Sequence, residues 1–272
     1  MSTDHKILTK YKLLTWNILA PVWIREALYP NINKKYLDVS YRIDCLSEYL
    51  INESADIVIL QEIQPTMLQD IINRVKIYDV HLTVFNNGKY FSDWYNSDDL
   101  LYTEFKKEEN GMALLIKKTV KMNVSDCQAH EWQSGNVNFS FKINDVSLFT
   151  CHLDVGDINV TSDQFLYICN NYQVIVGDLN LEAKQCRQIL GDNYHSALEL
   201  SDKIVTCADG RIIKQLDNII SKNQAIDIDS GKVPLIQLSS NYTVTECTNY
   251  LMKKYGSDHL PVSAEIYFPS QI

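Results

Sequence analysis

Seven polar residues sit at the ends of apolar runs and an eighth lies inside one, and their types make a coherent set. Asn17 follows the run Lys12–Trp16, and Glu62 follows Asp56–Leu60 with Gln61 between. His152 closes the run SLFTC, Ser147–Cys151. Asp178 and Asn180 follow Val174–Gly177, Asp217 lies inside QLDNII, and Asp258 and His259 precede a last apolar run. Asn17, Glu62 and Asp258 offer the hard oxygen ligands that suit Mg²⁺, which takes few carboxylates and completes its shell with water and substrate phosphate. His152, His259 and the amide of Asn180 can donate hydrogen bonds to a phosphate oxygen. Asp178 can accept a proton from an attacking water. Together these groups describe metal-assisted hydrolysis of a phosphate ester.

Taken singly, each has a plainer reading. Asn after a strand is an ordinary turn residue. Glu62 alone would be a solvated strand end, and His152 a satisfied, partly buried histidine. Asp178-Leu179-Asn180 after Gly177 would be a turn with Asp capping the next helix. Asp217 is harder to set aside, because an unpaired carboxylate in an apolar run is costly. It needs a donor or a cation, and a histidine is the natural one.

The elements that must position these residues follow from periodicity. Strands are expected at 12–16, 56–60, 112–117, 137–141, 146–151, 173–176, 216–220 and 262–268. Helices are expected at 41–52, with Ser40 as N-cap, from Pro65 with the stripe Leu68, Ile71, Ile72 and Val75, at 163–170, and at 181–190, stopped by Gly191. Asp209-Gly210 signals a hairpin turn. The stretch 78–110 is aromatic and acidic without a clear period, and is read as a long, partly irregular segment. Mixed strands and helices along one chain imply an α/β fold of two packed sheets covered by helices. No repeat or linker divides residues 1–272, so one domain is expected.

Composition narrows the class. The chain has 272 residues and a net charge of −9, which opposes long polyanions unless a local basic patch or a bound cation intervenes. Its seven cysteines form no CxxC pair, which argues against structural zinc, and their odd number argues against a fully paired disulfide scaffold. Met1–Lys12 has no apolar core of a signal peptide, and no apolar run is long enough to span a bilayer. An intracellular location, cytoplasmic or nuclear, and no membrane partner are expected.

Read in order, TWNILAP (Thr15–Pro21), ILQEI (Ile59–Ile63), NGMALLIKK (Asn110–Lys118), CHLD (Cys151–Asp154), VGDLN (Val176–Asn180), QLDNI (Gln215–Ile219) and GSDHLPV (Gly256–Val262) resemble the endonuclease/exonuclease/phosphatase superfamily. The resemblance spans nearly the whole chain. It implies a four-layer α/β sandwich with its site at one edge of the two sheets. Asn17 and Glu62 would hold the divalent metal, Mg²⁺ or Mn²⁺, with Asp258 on the metal side. Asp178 would align or deprotonate water, Asn180 and His152 would bind the scissile phosphate, and His259 would bind or protonate a phosphate oxygen with Asp217 orienting its ring.

Two departures refine the resemblance. Leu19 stands where some DNA-repair members carry Asp, which leans away from apurinic-site endonucleases. Asn218 stands where many members have an aromatic residue. The first motif looks most like deadenylases and nocturnin-like proteins, whereas GDLNL is closer to the tyrosyl-DNA phosphodiesterases. The expected function is therefore a 3′–5′ exoribonuclease of the deadenylase kind, working as a monomer on RNA. The alternatives are a phosphodiesterase of 5′-tyrosyl DNA or of a small nucleotide, and an inactive binding module on the same fold. Trp23 and Arg25, just past the first motif, are expected to line the substrate cleft. The lysines at 106–107, 117–118 and 121 read better as solvated faces than as a substrate track. The aromatics Tyr90, Phe91, Trp94 and Tyr95 could stack on bases, though local packing is the commoner use.

Overall fold

The computed structural model describes residues 8–86, 101–191, 193–201, 204–222, 228 and 243–270. Strands β1 (Leu8–Asn17), β2 (Ile57–Ile63), β3 (Tyr78–Phe85), β4 (Gly111–Lys117) and β13 (Val262–Pro269) form one mixed sheet in the order β13-β1-β2-β4-β3. Strands β5 (Val124–Glu131), β6 (Val137–Ile143), β7 (Val146–His152), β8 (Val174–Asp178), β9 (Tyr194–Ser196) and β12 (Asp217–Lys222) form the second, in the order β5-β6-β7-β8-β12-β9. A short hairpin joins β10 (Cys207–Ala208) to β11 (Ile213–Lys214), with Asp209-Gly210 in its turn as expected.

Period-two patterning sorts the side chains into layers. Leu13, Ile57, Ile59, Leu114, Phe139, Leu148, Val176, Ile219 and Val262 meet in one buried cluster between the sheets. The opposite face of the first sheet, including Leu14, Trp16, Val58 and Leu60, packs on α2 (Val39–Glu53), α3 (Pro65–Arg74) and α6 (Val244–Tyr255). The opposite face of the second, with Phe149, Cys151 and Ile175, packs on α4 (Ile158–Asn171) and α5 (Ala183–Leu190). The short α1 (Lys34–Leu37) precedes α2. This is the α/β arrangement of two mixed sheets flanked by helices.

Several boundaries differ from expectation for local reasons. The N-cap of α2 is Asp38, whose carboxylate accepts the Tyr41 N–H, rather than Ser40, which already lies in the helix. Helix α4 begins earlier than 163, because Asp157 caps it by accepting the Asn159 N–H. Glu182 and Gln185 form a capping box, so α5 starts at Ala183. The segment after 78 opens with strand β3 and contains a 3₁₀ turn at Thr103–Lys107, and β5 and α6 were not anticipated.

Candidate active site

Register alone places three of the expected residues side by side. In the parallel pair β7/β8, His152 lies opposite Asp178. In the antiparallel pair β8/β12, Asp178 lies opposite Asp217. Partners in register point to the same face, and these three share the face of Leu148, Val176 and Ile219, which looks toward the other sheet. Gly177 makes the approach between β7 and β8 close: a Cβ there would lie 2.2 Å from the Cys151 carbonyl oxygen.

The first sheet supplies the facing edge. Asn17 ends β1 on the inter-sheet face, following Leu13 and Thr15 by twos. Glu62 would fall on the helix side by simple alternation, after Val58 and Leu60. A bulge between Gln61 and Ile63, with Glu62 at φ +53°, turns it into the cleft instead. Asn17 Nδ2 then donates to Glu62 Oε1 at 2.8 Å and to Asp178 Oδ2 at 3.0 Å, joining the two sheets. The oxygen of Asn17 accepts the Leu19 N–H at 3.0 Å, and Glu62 Oε2 accepts the Ala20 N–H at 3.2 Å. Leu19 and Asn180 share the left-handed backbone of Glu62, with φ +54° and +47°. Such conformations cost about 1–3 kcal/mol each and persist where the surroundings fix them, often at functional sites.

The segment Ser257–His259 closes the cleft. His259 Nδ1 and Asp217 Oδ2 are 2.9 Å apart, and His259 Nε2 lies 3.9 Å from Asp178 Oδ2. The backbone around it is braced by Trp16 Nε1, which donates to the His259 carbonyl, and by Ser257 Oγ, which donates to the Asn17 carbonyl. Thr206 Oγ1 accepts the N–H of Asp217 at 3.0 Å, which holds the backbone at that position. Burial works against charge on His259, but Cys207 and Asp217 outweigh it and hold its pKa well above the ordinary value. Burial pushes the Cys207 thiol up to about 12, so it is neutral near pH 7 and Asp217 supplies the compensating charge. Burial likewise pushes the Asp217 carboxyl up to about 6, against the pull of His259. The pair titrates as a unit, one proton held between ring and carboxylate at neutral pH.

Beside His259, Asp258 is buried, and burial pushes its carboxyl up to about 6, with His259 drawing it down and Glu62 pushing it up. Its Oδ2 accepts the Tyr29 hydroxyl at 2.8 Å, while Oδ1 is buried without a hydrogen-bond partner. An orphaned carboxylate oxygen facing the field of a second carboxylate is what a divalent cation would satisfy. The donor set of Glu62 and Asp258 therefore fits a hard divalent cation. Among the described residues, Asp178, Asp217 and His259 also place one ligand atom each within 4.8 Å of one another. His259 Nδ1 is engaged by Asp217, and the other ring nitrogen, Nε2, is the one 3.9 Å from Asp178 Oδ2. His152 Nε2 lies 3.6 Å from Glu62 Oε1, and Asn180 Nδ2 donates to the Leu153 carbonyl at 2.8 Å.

Two residues of the site were not anticipated. Tyr29 holds Asp258. Arg42, fully buried on α2, donates from Nε to the Gly256 carbonyl at 2.7 Å and from Nη2 to the carbonyls of Ile18 and Leu19. It ties the segment after Asn17 to the segment before Asp258. The available signal was an arginine adjacent to the apolar stripe Ile43, Leu46 and Leu50. Of the expected cleft residues, Trp23 is half-buried and packs beside Leu19 and Ala20, and Arg25 is half-buried on the turn leading to Tyr29. Tyr90, Phe91, Trp94 and Tyr95 lie outside the described residues.

The sequence matches the model of the Endonuclease/Exonuclease/phosphatase family over residues 14–259. The chain belongs to this family. It is thus a metal-dependent hydrolase of phosphoester bonds. No curated protein matches it significantly in sequence. Among solved structures it is similar to ANGEL2, a 2′,3′-cyclic phosphatase in complex with adenosine-2′,3′-vanadate, with TM-score 0.70, 13% identity and 97% of each chain covered. It is also similar to an endonuclease/exonuclease/phosphatase from Bacteroides vulgatus, with TM-score 0.61, 16% identity and 95% and 98% covered. D. rerio TDP2 complexed with a single-strand DNA product gives TM-score 0.59, 15% identity and 95% and 99% covered. At these identities the likeness is one of fold. Among the described residues, no helix is long and apolar enough to cross a membrane.

Proposed function

We propose that the chain is a Mg²⁺-dependent phosphodiesterase that shortens RNA from the 3′ end, a deadenylase-like exoribonuclease, acting as a monomer. The observation that carries the hydrolytic part is the 3.0 Å bond from Asn17 to Asp178, which brings the two strand-end rows together around one cleft. The first motif, Thr15–Pro21, supports an RNA substrate, and the adenosine-2′,3′-vanadate bound to ANGEL2 supports a ribonucleotide end.

Asn17, through its amide oxygen, Glu62 and Asp258 would hold the metal, while Asn17 Nδ2 orients Glu62. When bound, a divalent ion there would offset the charge that builds on the phosphate oxygens. Asp178 takes the proton of the attacking water, its Oδ1 fixed by the Asn180 N–H at 3.0 Å and its Oδ2 by Asn17. His259, protonated and held by Asp217, points Nε2 at a phosphate oxygen. His152 and the second N–H of the Asn180 amide donate to the same phosphoryl group. Donors fixed in place before charge develops are worth roughly 3–4 kcal/mol each at the transition state. Trp23 and Arg25 would flank the departing nucleotide.

A second reading is hydrolysis of a 5′-tyrosyl-DNA end or a small nucleotide, favoured by Gly177–Leu181 (GDLNL) and by the net charge of −9. The deciding experiment is a product-resolved assay with Mg²⁺ and an EDTA control. Its panel is 5′-labelled oligo(A), the same RNA ending in a 2′,3′-cyclic phosphate, single-stranded DNA, 5′-tyrosyl DNA and a dinucleotide. A ladder shortening from the RNA 3′ end, lost with EDTA, is expected. Cleavage confined to the tyrosyl end, the cyclic phosphate or the dinucleotide would overturn the exoribonuclease reading and keep the chemistry.

A further inference from the structure

The site presents Glu62, Asp178, Asp217 and Asp258 to a substrate that is itself an anion. A bound cation and His259 offset part of that charge at the scissile phosphate, but nothing yet described meets the neighbouring phosphate of an oligonucleotide. The hairpin β10–β11 is built to do so. Its first strand is fastened to the metal side: Cys207 pairs with His259, and the Ala208 N–H donates to the Asp258 carbonyl at 2.8 Å. Its second strand is fastened to the phosphate side, where Lys214 pairs with Glu182, two residues past Asn180. The hairpin is thus tied to Asp258 and His259 through its first strand and to Glu182, beside the loop of Asn180, through its second.

The turn of the hairpin is fixed by contacts on both sides. The Gly210 N–H donates to Thr248 Oγ1 at 2.9 Å. Gly210 has φ +84°, and a Cβ there would lie 2.4 Å from the Leu28 carbonyl oxygen, so the turn is pressed against the segment that carries Tyr29. Asp209 Oδ1 accepts the N–H groups of Arg211 and Ile212, each at 3.0 Å, and its Oδ2 accepts Arg211 Nη2 at 2.7 Å. Asp209 is itself only 16% exposed, whereas the side chain of Arg211 is 63% exposed. One nitrogen of the guanidinium is thus anchored while the side chain stays largely exposed, which leaves further N–H donors for a ligand. The hydrogen bond to Asp209 comes first among the influences that keep Arg211 charged, and Tyr29 and Asp258 add to it, which places the group within the electrostatic reach of the site. An arginine anchored at one nitrogen and otherwise exposed is the usual fork for a phosphate, because less side-chain freedom remains to be lost on binding.

We infer that Arg211, on the turn of the β10–β11 hairpin, binds the phosphate adjacent to the scissile one and so selects substrates that carry a second phosphate. This rests on the reading of the site as a phosphodiesterase. It also reconciles an acidic protein with a polyanionic substrate, since the contact is local and pre-oriented rather than a broad basic surface.

The test compares two substrates in the full chain. Bis(p-nitrophenyl) phosphate carries one phosphate and reports the chemistry alone. The oligonucleotide of the panel above that the wild-type chain cleaves carries neighbouring phosphates. Arg211→Ala is expected to lower kcat/KM on the oligonucleotide roughly tenfold to a hundredfold, the size of one lost charge-assisted hydrogen bond, mainly through KM. Bis(p-nitrophenyl) phosphate should be cleaved as by wild type, and Arg211→Lys should recover part of the loss, keeping the charge without the fork. Equal losses on both substrates, or unchanged oligonucleotide kinetics, would remove the subsite while leaving the phosphodiesterase reading in place. A wild-type chain that cleaves neither compound would remove both.

Discussion

Arg42→Met is the perturbation whose size follows most directly from the structure. The guanidinium is fully buried and serves three backbone carbonyls, those of Gly256, Ile18 and Leu19. Methionine fills much of the volume and serves none. Hydrogen bonds from a charged donor contribute about 1.5–3 kcal/mol each, so three lost bonds amount to roughly 5–9 kcal/mol. Against this, the variant is relieved of burying a cation, which costs several kcal/mol. Burial lowers the Arg42 pKa, with Asp258 opposing, and Nη1 has no partner, so the native arrangement carries part of that cost. The net expectation is a loss of about 3 kcal/mol, toward the lower end for breaking a buried charge network. In a chain of this size that lowers Tm by roughly 6–12 °C. Urea denaturation followed by tryptophan fluorescence would read the stability. Turnover measured well below both transitions would read the site, where kcat should fall because Asn17 and Asp258 lose their common tie. A loss under about 1 kcal/mol, or unchanged kcat in the folded variant, would refute the argument.

Other expectations follow from the same geometry. Asp217→Asn removes the anion that keeps His259 protonated. Because that raised pKa preserves the charged ring until pH rises through it, the alkaline limb of the pH–rate profile should move to lower pH. An unshifted limb would show that the pair does not set it. Glu62→Gln should weaken apparent Mg²⁺ affinity roughly tenfold or more, read from the metal dependence of the rate. In EDTA, Asp258→Asn should stabilise the protein at pH 7. The Asp258 carboxyl rises from 3.8 to about 6 on folding, so its contribution to stability is present below about pH 4 and is lost as pH rises through 6. The variant's advantage should therefore grow between pH 4 and pH 7, to at most about 3 kcal/mol. Thermal melts of both proteins across that range test the sign.

The buried strands and the residues at their ends were legible because each is bounded sharply: a β-branched run, then a polar residue facing the other sheet. β3 and β5 were hidden because both are edge strands whose side chains are largely half-buried or exposed, so neither shows clean alternation. Helix α6 is marked in the sequence by its ends, the Thr243–Glu246 capping box and Gly256 at its C-cap, rather than by a clear apolar period. The orientation of Glu62 was out of reach, since alternation places it on the helix side and only the bulge turns it inward. Arg42 and Tyr29 were missed for a related reason. Each acts through a contact between segments far apart in sequence, 42 with 256 and 29 with 258. Nothing local distinguishes a buried arginine beside an apolar stripe from a solvated one.

The most direct measurement is the hydrolysis of bis(p-nitrophenyl) phosphate by the purified chain with Mg²⁺ and with EDTA, beside Asp178→Asn and His259→Ala. Wild type should turn over, EDTA should abolish that turnover, and Mg²⁺ should restore it. Both variants should keep the wild-type fold by circular dichroism and lose about a hundredfold or more in rate. Wild-type turnover that survives EDTA, or a folded Asp178→Asn protein that works at the wild-type rate, would contradict this mechanism.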